Sequence, residues 1–386
     1  MLRFRAMAPR HVAPKKNRSG SKKAVIFSVL GLSLCVGIGA AVVLVTRPST
    51  PSHTAAPASH GATTFTVLAA TPSDNATVAS DASIRVALSD SIATTSPLPV
   101  ITPSVPGSWE RLSSSTLEFV QQSPFQPGQS ITVTIPGGSQ GIKSSSGTHL
   151  ASTVSTTFQI SQLSLVRVQQ LLAEEGYLPV TFNPTTPSST SGPLTSDEAG
   201  TFVPRWSSLP ASLTSLWQPG VENVVTRGAI MRFQDVHHMQ TDGDITAAFD
   251  SALLADRAAG TTDPDPYTYV GVSKGQAESL TLYSNGQVIY TTAVNTGIPG
   301  QDTADGTYPV YARYTTTTMS GTNPDGTTYH DTGIPWVSYF NGGDALHGFI
   351  RSSYGTPQSL GCVEMPYANA AVVFPHTPIG TLVSVA

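Results

Sequence analysis

The chain has 386 residues, enough for two or three domains of ordinary size. Its 20 basic and 24 acidic residues give a net charge of −4, but eight of the basic residues crowd into positions 1–23, where there is no acid. The remainder carries 12 basic against 24 acidic residues, which argues against nucleic acid as a partner, because phosphate binding needs a basic face.

Residues 1–23 read as a cytoplasmic basic arm. From Ala24 to Val45 the chain has no charge, long enough to cross the hydrocarbon core as a helix. Basic residues on its N-terminal side place the N-terminus in the cytoplasm. Residues 24–45 are therefore expected to be an uncleaved transmembrane anchor; the apolar core of a cleaved signal is shorter, about 7–15 residues. Residues 46–62, rich in Pro, Ser, Thr and Ala, read as a linker holding the rest off the membrane. The expected location is the cell membrane, single-pass, with everything after residue 45 outside the cytoplasm. Of the two cysteines, Cys35 lies inside the apolar run, so Cys362 has no partner on the outer side. An unpaired thiol in an exported protein is a hazard unless it is buried or used for chemistry.

Residues 63–161 show period-2 alternation in short runs (Thr64–Leu68, Ser83–Leu88, Thr116–Val120, Ser130–Ile135, Ser155–Ile160), the pattern of a β-sandwich. The segments TPSDNATVASDASIRVALSD and SWERLSSSTLEFVQQSPFQPGQSITVTI resemble bacterial immunoglobulin-like modules. Nothing in them looks catalytic, and Trp109 reads as packing.

At Ser164 the period becomes helical. Leu165, Val168, Leu171 and Leu172 share one face of a helix stopped at Gly176. Two more helices are expected, over Asn223–His237 and Ile245–Ala255, the latter capped by Asp242 or Asp244. The pieces VQQLLAEEGYLP, RGAIMRFQDVHH and TDGDITAAFDSALL resemble a three-helix peptidoglycan-binding module over 162–260, interrupted by an insertion at 181–221. Asp235, His237, His238, Asp242 and Asp244 lack the spacing of a zinc site and read as a capping loop.

Residues 265–386 return to strands: Tyr267–Ser273, Leu280–Tyr283, a type I′ turn at Asn285-Gly286, Gln287–Val294, Gly306–Tyr314 and Thr381–Val385. Here lie Leu346-His347-Gly348-Phe349-Ile350-Arg351 and Ser359-Leu360-Gly361-Cys362-Val363-Glu364-Met365. A thiol becomes a nucleophile when a nearby imidazole takes its proton, and the resulting ion pair lowers the thiol pKa. Gly361 leaves room for a substrate carbonyl, with the Gly361 and Cys362 N–H groups facing the oxyanion. Taken alone, the residues leave open a buried structural cysteine with an unrelated histidine.

These residues, with Tyr269–Lys274, Ala293–Gly297 and Ala304–Tyr308 upstream, resemble the L,D-transpeptidase catalytic domain (YkuD-like). The resemblance implies Cys362 as nucleophile, His347 as base oriented by the Gly348 carbonyl, and Ser359, Gly361 and Cys362 around the oxyanion. It implies a thioester acyl-enzyme on peptidoglycan tetrapeptide stems, a second stem as acceptor, 3→3 cross-links, inhibition by carbapenems, and no metal or organic cofactor. Leu360 stands where many members have a second histidine, and Glu364 where many have arginine. Arg351 is expected to supply the missing positive charge, paired with Glu364; Tyr339 and Phe340 are candidates for an apolar wall. The fold class expected is a multidomain, mainly-β chain: transmembrane helix, Ig-like β-sandwich, small α-helical module and β-rich transpeptidase fold. L,D-carboxypeptidase activity and a non-catalytic wall-binding role remain as alternatives.

Overall fold

The computed structural model describes residues 64–185 and 195–386. The arm, anchor and linker expected at 1–62 lie outside the described residues, among which no helix is long and apolar enough to cross a membrane.

The first module is a sandwich of two four-stranded sheets. Its strands are β1 (Val67–Thr71), β2 (Thr77–Val78), β3 (Ile84–Leu88), β4 (Val100–Thr102), β5 (Gly107–Arg111), β6 (Thr116–Gln121), β7 (Ser130–Ile135) and β8 (Val154–Ile160). One sheet runs β1-β3-β6-β5, the other β2-β8-β7-β4. Alternation explains the core: Ile84, Val86, Leu88 and Leu117 from one sheet meet Ile131, Val133, Ile135 and Phe158 from the other. Trp109 is half-buried, edge-on to Phe119 at 5.5 Å. The first strand begins at Val67 rather than at Thr64.

Next come α1 (Leu165–Glu174), the hairpin β9 (Val180–Pro184) and β10 (Gly200–Pro204), a helical turn α2 (Ala211–Thr214), α3 (Val224–Val236) and α4 (Ala247–Ala259). Ser164, Asn223 and Thr246 cap α1, α3 and α4. Thr246 thus replaces the expected Asp242 or Asp244. The Asp242 carboxylate instead accepts from Asp244 N–H at 2.9 Å and Gln234 Nε2 at 3.0 Å, closing its own turn. His237 is held by Asp256 at 2.8 Å. The described part of the insertion is structured: Phe182, Phe202, Leu213 and Trp217 join the core of α1, α3 and α4.

That core does not end at the module boundary, since Tyr269 and Leu382 of the C-terminal module belong to it. Gly228 of α3 lies against the chain at 380–382, where a Cβ would sit 2.6 Å from the Gly380 carbonyl oxygen. Arg232 bonds Asp263 at 3.0 Å and Asp265 at 2.6 Å across the junction.

The C-terminal module contains β11 (Thr268–Ser273), β12 (Ser279–Ser284), β13 (Gln287–Ala293), β14 (Gly306–Pro309), β15 (Ala312–Thr322), β16 (Thr328–Asn341), β17 (Asp344–Gly348), β18 (Val363–Met365), α5 (Tyr367–Val373) and β19 (Leu382–Val385). One sheet runs β13-β12-β11-β19-β14, the other β15-β16-β17-β18. Asn285 and Gly286 both have positive φ, as a type I′ turn demands. The β elements expected through Gly306–Tyr314 are two strands, with the chain crossing between sheets at Val310-Tyr311. Val270, Val272, Leu282 and Val383 pack against Phe340, Leu346, Val363 and Met365, with Ala370 and Val373 of α5 closing the core.

Candidate active site

In the β15-β16-β17-β18 sheet, β17 and β18 are parallel, with Leu346 beside Val363 and His347 beside Glu364. Because side chains alternate, Leu346, Val363 and Met365 point into the core, while His347, Cys362 and Glu364 share the opposite face. They open on a groove of about 800 Å³. One wall is the far part of the β15–β16 hairpin, with Met319, Tyr329 and Asp331; the other is the 349–360 loop, with Phe349, Arg351, Gln358 and Leu360.

His347 is buried, and its Nδ1 lies 3.0 Å from the Gly348 carbonyl oxygen. A carbonyl can only accept, so Nδ1 carries the proton and Nε2 carries the lone pair. Burial holds the imidazole below its ordinary range, outweighing the hydrogen bond to Gly348 and the charge of Glu364. The Cys362 thiol, half-buried, donates to the Gly343 carbonyl at 3.6 Å. Burial pushes it up to about 12, against a hydrogen bond from the Ala345 backbone and with further upward pushes from Asp344 and Glu364. This corrects the expected ion pair. Burial thus favours the neutral form of both groups, which line the same groove.

Ser359 and Gly361 belong to the turn that presents Cys362, not to an oxyanion site. Ser359 Oγ donates to the Cys362 carbonyl at 2.6 Å and accepts the Gly361 N–H at 3.2 Å, so that N–H is spent. Gly361 has φ +117°, and a Cβ there would meet Asp344 Oδ1 at 2.5 Å; it makes room for this carboxylate rather than for a substrate carbonyl. Gly348 contributes its carbonyl, its Cα being packed against Tyr367 and Pro335. Tyr339 lines the groove, but Phe340 does not. Neighbours on a strand face opposite ways, and Phe340 is buried in the core beside Tyr308.

The expected Arg351–Glu364 pair is present and bidentate, with Nε–Oε2 at 2.7 Å and Nη2–Oε1 at 2.8 Å. Arg351 Nη2 also reaches the Gln358 carbonyl at 3.1 Å, and the guanidinium lies over the Phe349 ring at 4.6 Å. The pair ties the 349–360 loop to β18. Its hydrogen bonds with Glu364 raise the arginine pKa further.

Several contributors carry no local sequence signal. Asn295, fully buried, exchanges both backbone hydrogen bonds with Glu364 and holds Ser353 and Gly355 through its amide. Glu278, also buried, receives the Thr296 N–H and hydroxyl, each at 2.6 Å. Thr296 in turn accepts the N–H groups of Gln358 and Ser359. Asp331, Asp344, Tyr329 and Met319 reach the groove from sequence positions that only the hairpin brings near.

Residues 267–385 match the family model of the L,D-transpeptidase catalytic domain. The last third of the chain is thus similar to the L,D-transpeptidase catalytic domain. Residues 61–160 match the bacterial Ig-like domain, and the helical module lies outside both matches. Solved structures similar to the chain include the catalytic domain of an L,D-transpeptidase from Enterococcus faecium, at 26% identity over 31% of this chain and 96% of that one, TM-score 0.29. An L,D-transpeptidase from Mycobacterium smegmatis is similar at 11% identity over 84% of this chain and 100% of that one, TM-score 0.29. L,D-transpeptidase 3 from Mycobacterium tuberculosis, in complex with a faropenem-derived adduct, is similar at 11% identity over 83% and 97%, TM-score 0.29. No curated protein matches the chain. In the C-terminal module, the groove thus holds one thiol, one imidazole with a defined tautomer, and three carboxylates of which Arg351 pairs with one.

Proposed function

We propose that the chain is a peptidoglycan L,D-transpeptidase that forms 3→3 cross-links through a thioester on Cys362. The observation supporting this most strongly is the Nδ1–Gly348 hydrogen bond, which leaves the Nε2 lone pair of His347 in the groove that holds the thiol. Cys362 Sγ attacks the carbonyl of the third residue of a tetrapeptide stem while its proton passes to His347 Nε2. The tetrahedral adduct collapses, the C–N bond to the terminal D-alanine breaks, and the leaving amine takes the proton back. The neutral amine of a second stem then adds to the thioester and gives its proton to His347. The C–S bond breaks, and the thiolate recovers that proton. Every step balances with the side chains of this groove.

The same reading proposes carbapenems as acylating inhibitors and an anchor at 24–45 with a linker over 46–62, the catalytic domain then lying outside the membrane at the wall. The Ig-like module acts as a stalk. The test is incubation of the full-length protein with disaccharide-tetrapeptides. Cross-linked dimer with release of D-alanine is expected; tripeptide without dimer identifies a carboxypeptidase, and neither product rejects catalysis.

A further inference from the structure

The proposed reaction ends with an amine attacking a thioester, and at neutral pH that amine arrives as an ammonium. Of the three groove carboxylates, Glu364 is held by Arg351, and Asp344 accepts the Ala304 N–H and the Asn341 amide, both at 3.4 Å, above Gly361. Asp331, on the hairpin wall, is different. Its side chain makes no hydrogen bond or ion pair among the described residues, yet it is near enough for its charge to act on His347 and on Arg351. Arg351 already spends Nε and Nη2 on Glu364 and Gln358. On one wall of the groove the charged groups are therefore hydrogen-bonded to each other, and the other carries a carboxylate with no hydrogen-bonded counter-ion, near enough for its charge to act on His347. A cation entering beside His347 finds its counter-ion there.

Resting on the transpeptidase reading above, we propose that Asp331 binds the ammonium of the acceptor stem and so sets the partition of the acyl-enzyme between amine and water. The ammonium docks on Asp331 and releases one proton to solvent. The resulting amine adds to the thioester carbonyl, its second proton passes to His347 Nε2, the C–S bond breaks, and the sulfur takes that proton. Water, with no charge to be held, gains nothing from Asp331. Transfer and hydrolysis therefore depend on this residue differently.

The test is Asp331→Asn, a near-isosteric change on a partly exposed strand, in the full-length protein with disaccharide-tetrapeptides. Dimer and tripeptide arise from one acyl-enzyme, so their ratio is independent of the acylation rate. A charge-assisted hydrogen bond corresponds to a fall in that ratio of about tenfold at low salt, and the fall shrinks at high salt. Asp331→Glu keeps most of the wild-type ratio. With an alkoxyamine, which is uncharged at neutral pH, as nucleophile, wild type and Asp331→Asn partition alike. An unchanged ratio with the stem acceptor, or an equal loss with the alkoxyamine, overturns the proposal. A wild-type protein that forms no acyl-enzyme overturns the transpeptidase reading and this inference together.

Discussion

At the scale of single residues, the protonation of two groups governs the chemistry of the groove. Desolvation sets both neutral, the thiol pushed up to about 12 and the imidazole down. A thiol reacting as its free anion should then be a poor target at rest. Alkylation of Cys362 by iodoacetamide is expected to keep rising with pH across the range of about 7 to 9, without a plateau. A plateau below neutrality would mean a preformed thiolate. Turnover rises with pH over a lower range: it needs the neutral base, so it is lost as pH falls through the depressed His347 value, below the ordinary 6.5. The nearness of Cys362 and His347 was legible from their spacing, and the Gly348 carbonyl from the family resemblance. Their charge state was not, because desolvation depends on what the fold stacks around them. Phe340 marks a different gap: period-2 alternation alone forbids Tyr339 and Phe340 from sharing a face, so its placement on the groove wall was avoidable.

At the scale of elements, the 349–360 loop and the β17–β18 pair decide whether the site holds together. The loop is fixed at one end by Arg351 on the largely buried Glu364 and at the other by Asn295 and Thr296. Removing the guanidinium leaves a buried carboxylate unpaired. Arg351→Ala should destabilise by about 3 kcal/mol and lower turnover, whereas Arg351→Ala/Glu364→Gln recovers part of the stability. Thermal melts and dimer formation across this cycle check it, and purely additive losses would show that the pair is not coupled. The pairing was readable from the charge reversal at Glu364. The bracing by Asn295 and Glu278 was not, since their partners lie far along the chain and no periodicity marks a buried polar residue. Strands with clear alternation, such as β7, were legible to the residue. The change of sheet between β14 and β15 was not, because apolar residues continue through Val310-Tyr311.

At the scale of the whole molecule, the helical module and the C-terminal module share one core through Tyr269 and Leu382. Sequence patterning separated them at residues 260–265 because the helical period gives way to alternation there, and a change of period says nothing about which faces later meet. A shared core implies joint unfolding. Gly228→Ala places a methyl group 2.6 Å from the Gly380 carbonyl oxygen and 2.9 Å from Leu382 Cδ2. Overpacking of this kind should cost about 1–3 kcal/mol. Hydrogen exchange in α3 and in β19 is expected to accelerate together; acceleration confined to α3 would show that the helical module opens by itself.

The most direct test of the central claim is intact-mass spectrometry of the full-length protein treated with a carbapenem, wild type against Cys362→Ala. One covalent adduct is expected on the wild type and none on the variant. An adduct that survives in Cys362→Ala, or its absence from folded wild type, would contradict the assignment of Cys362 as the nucleophile.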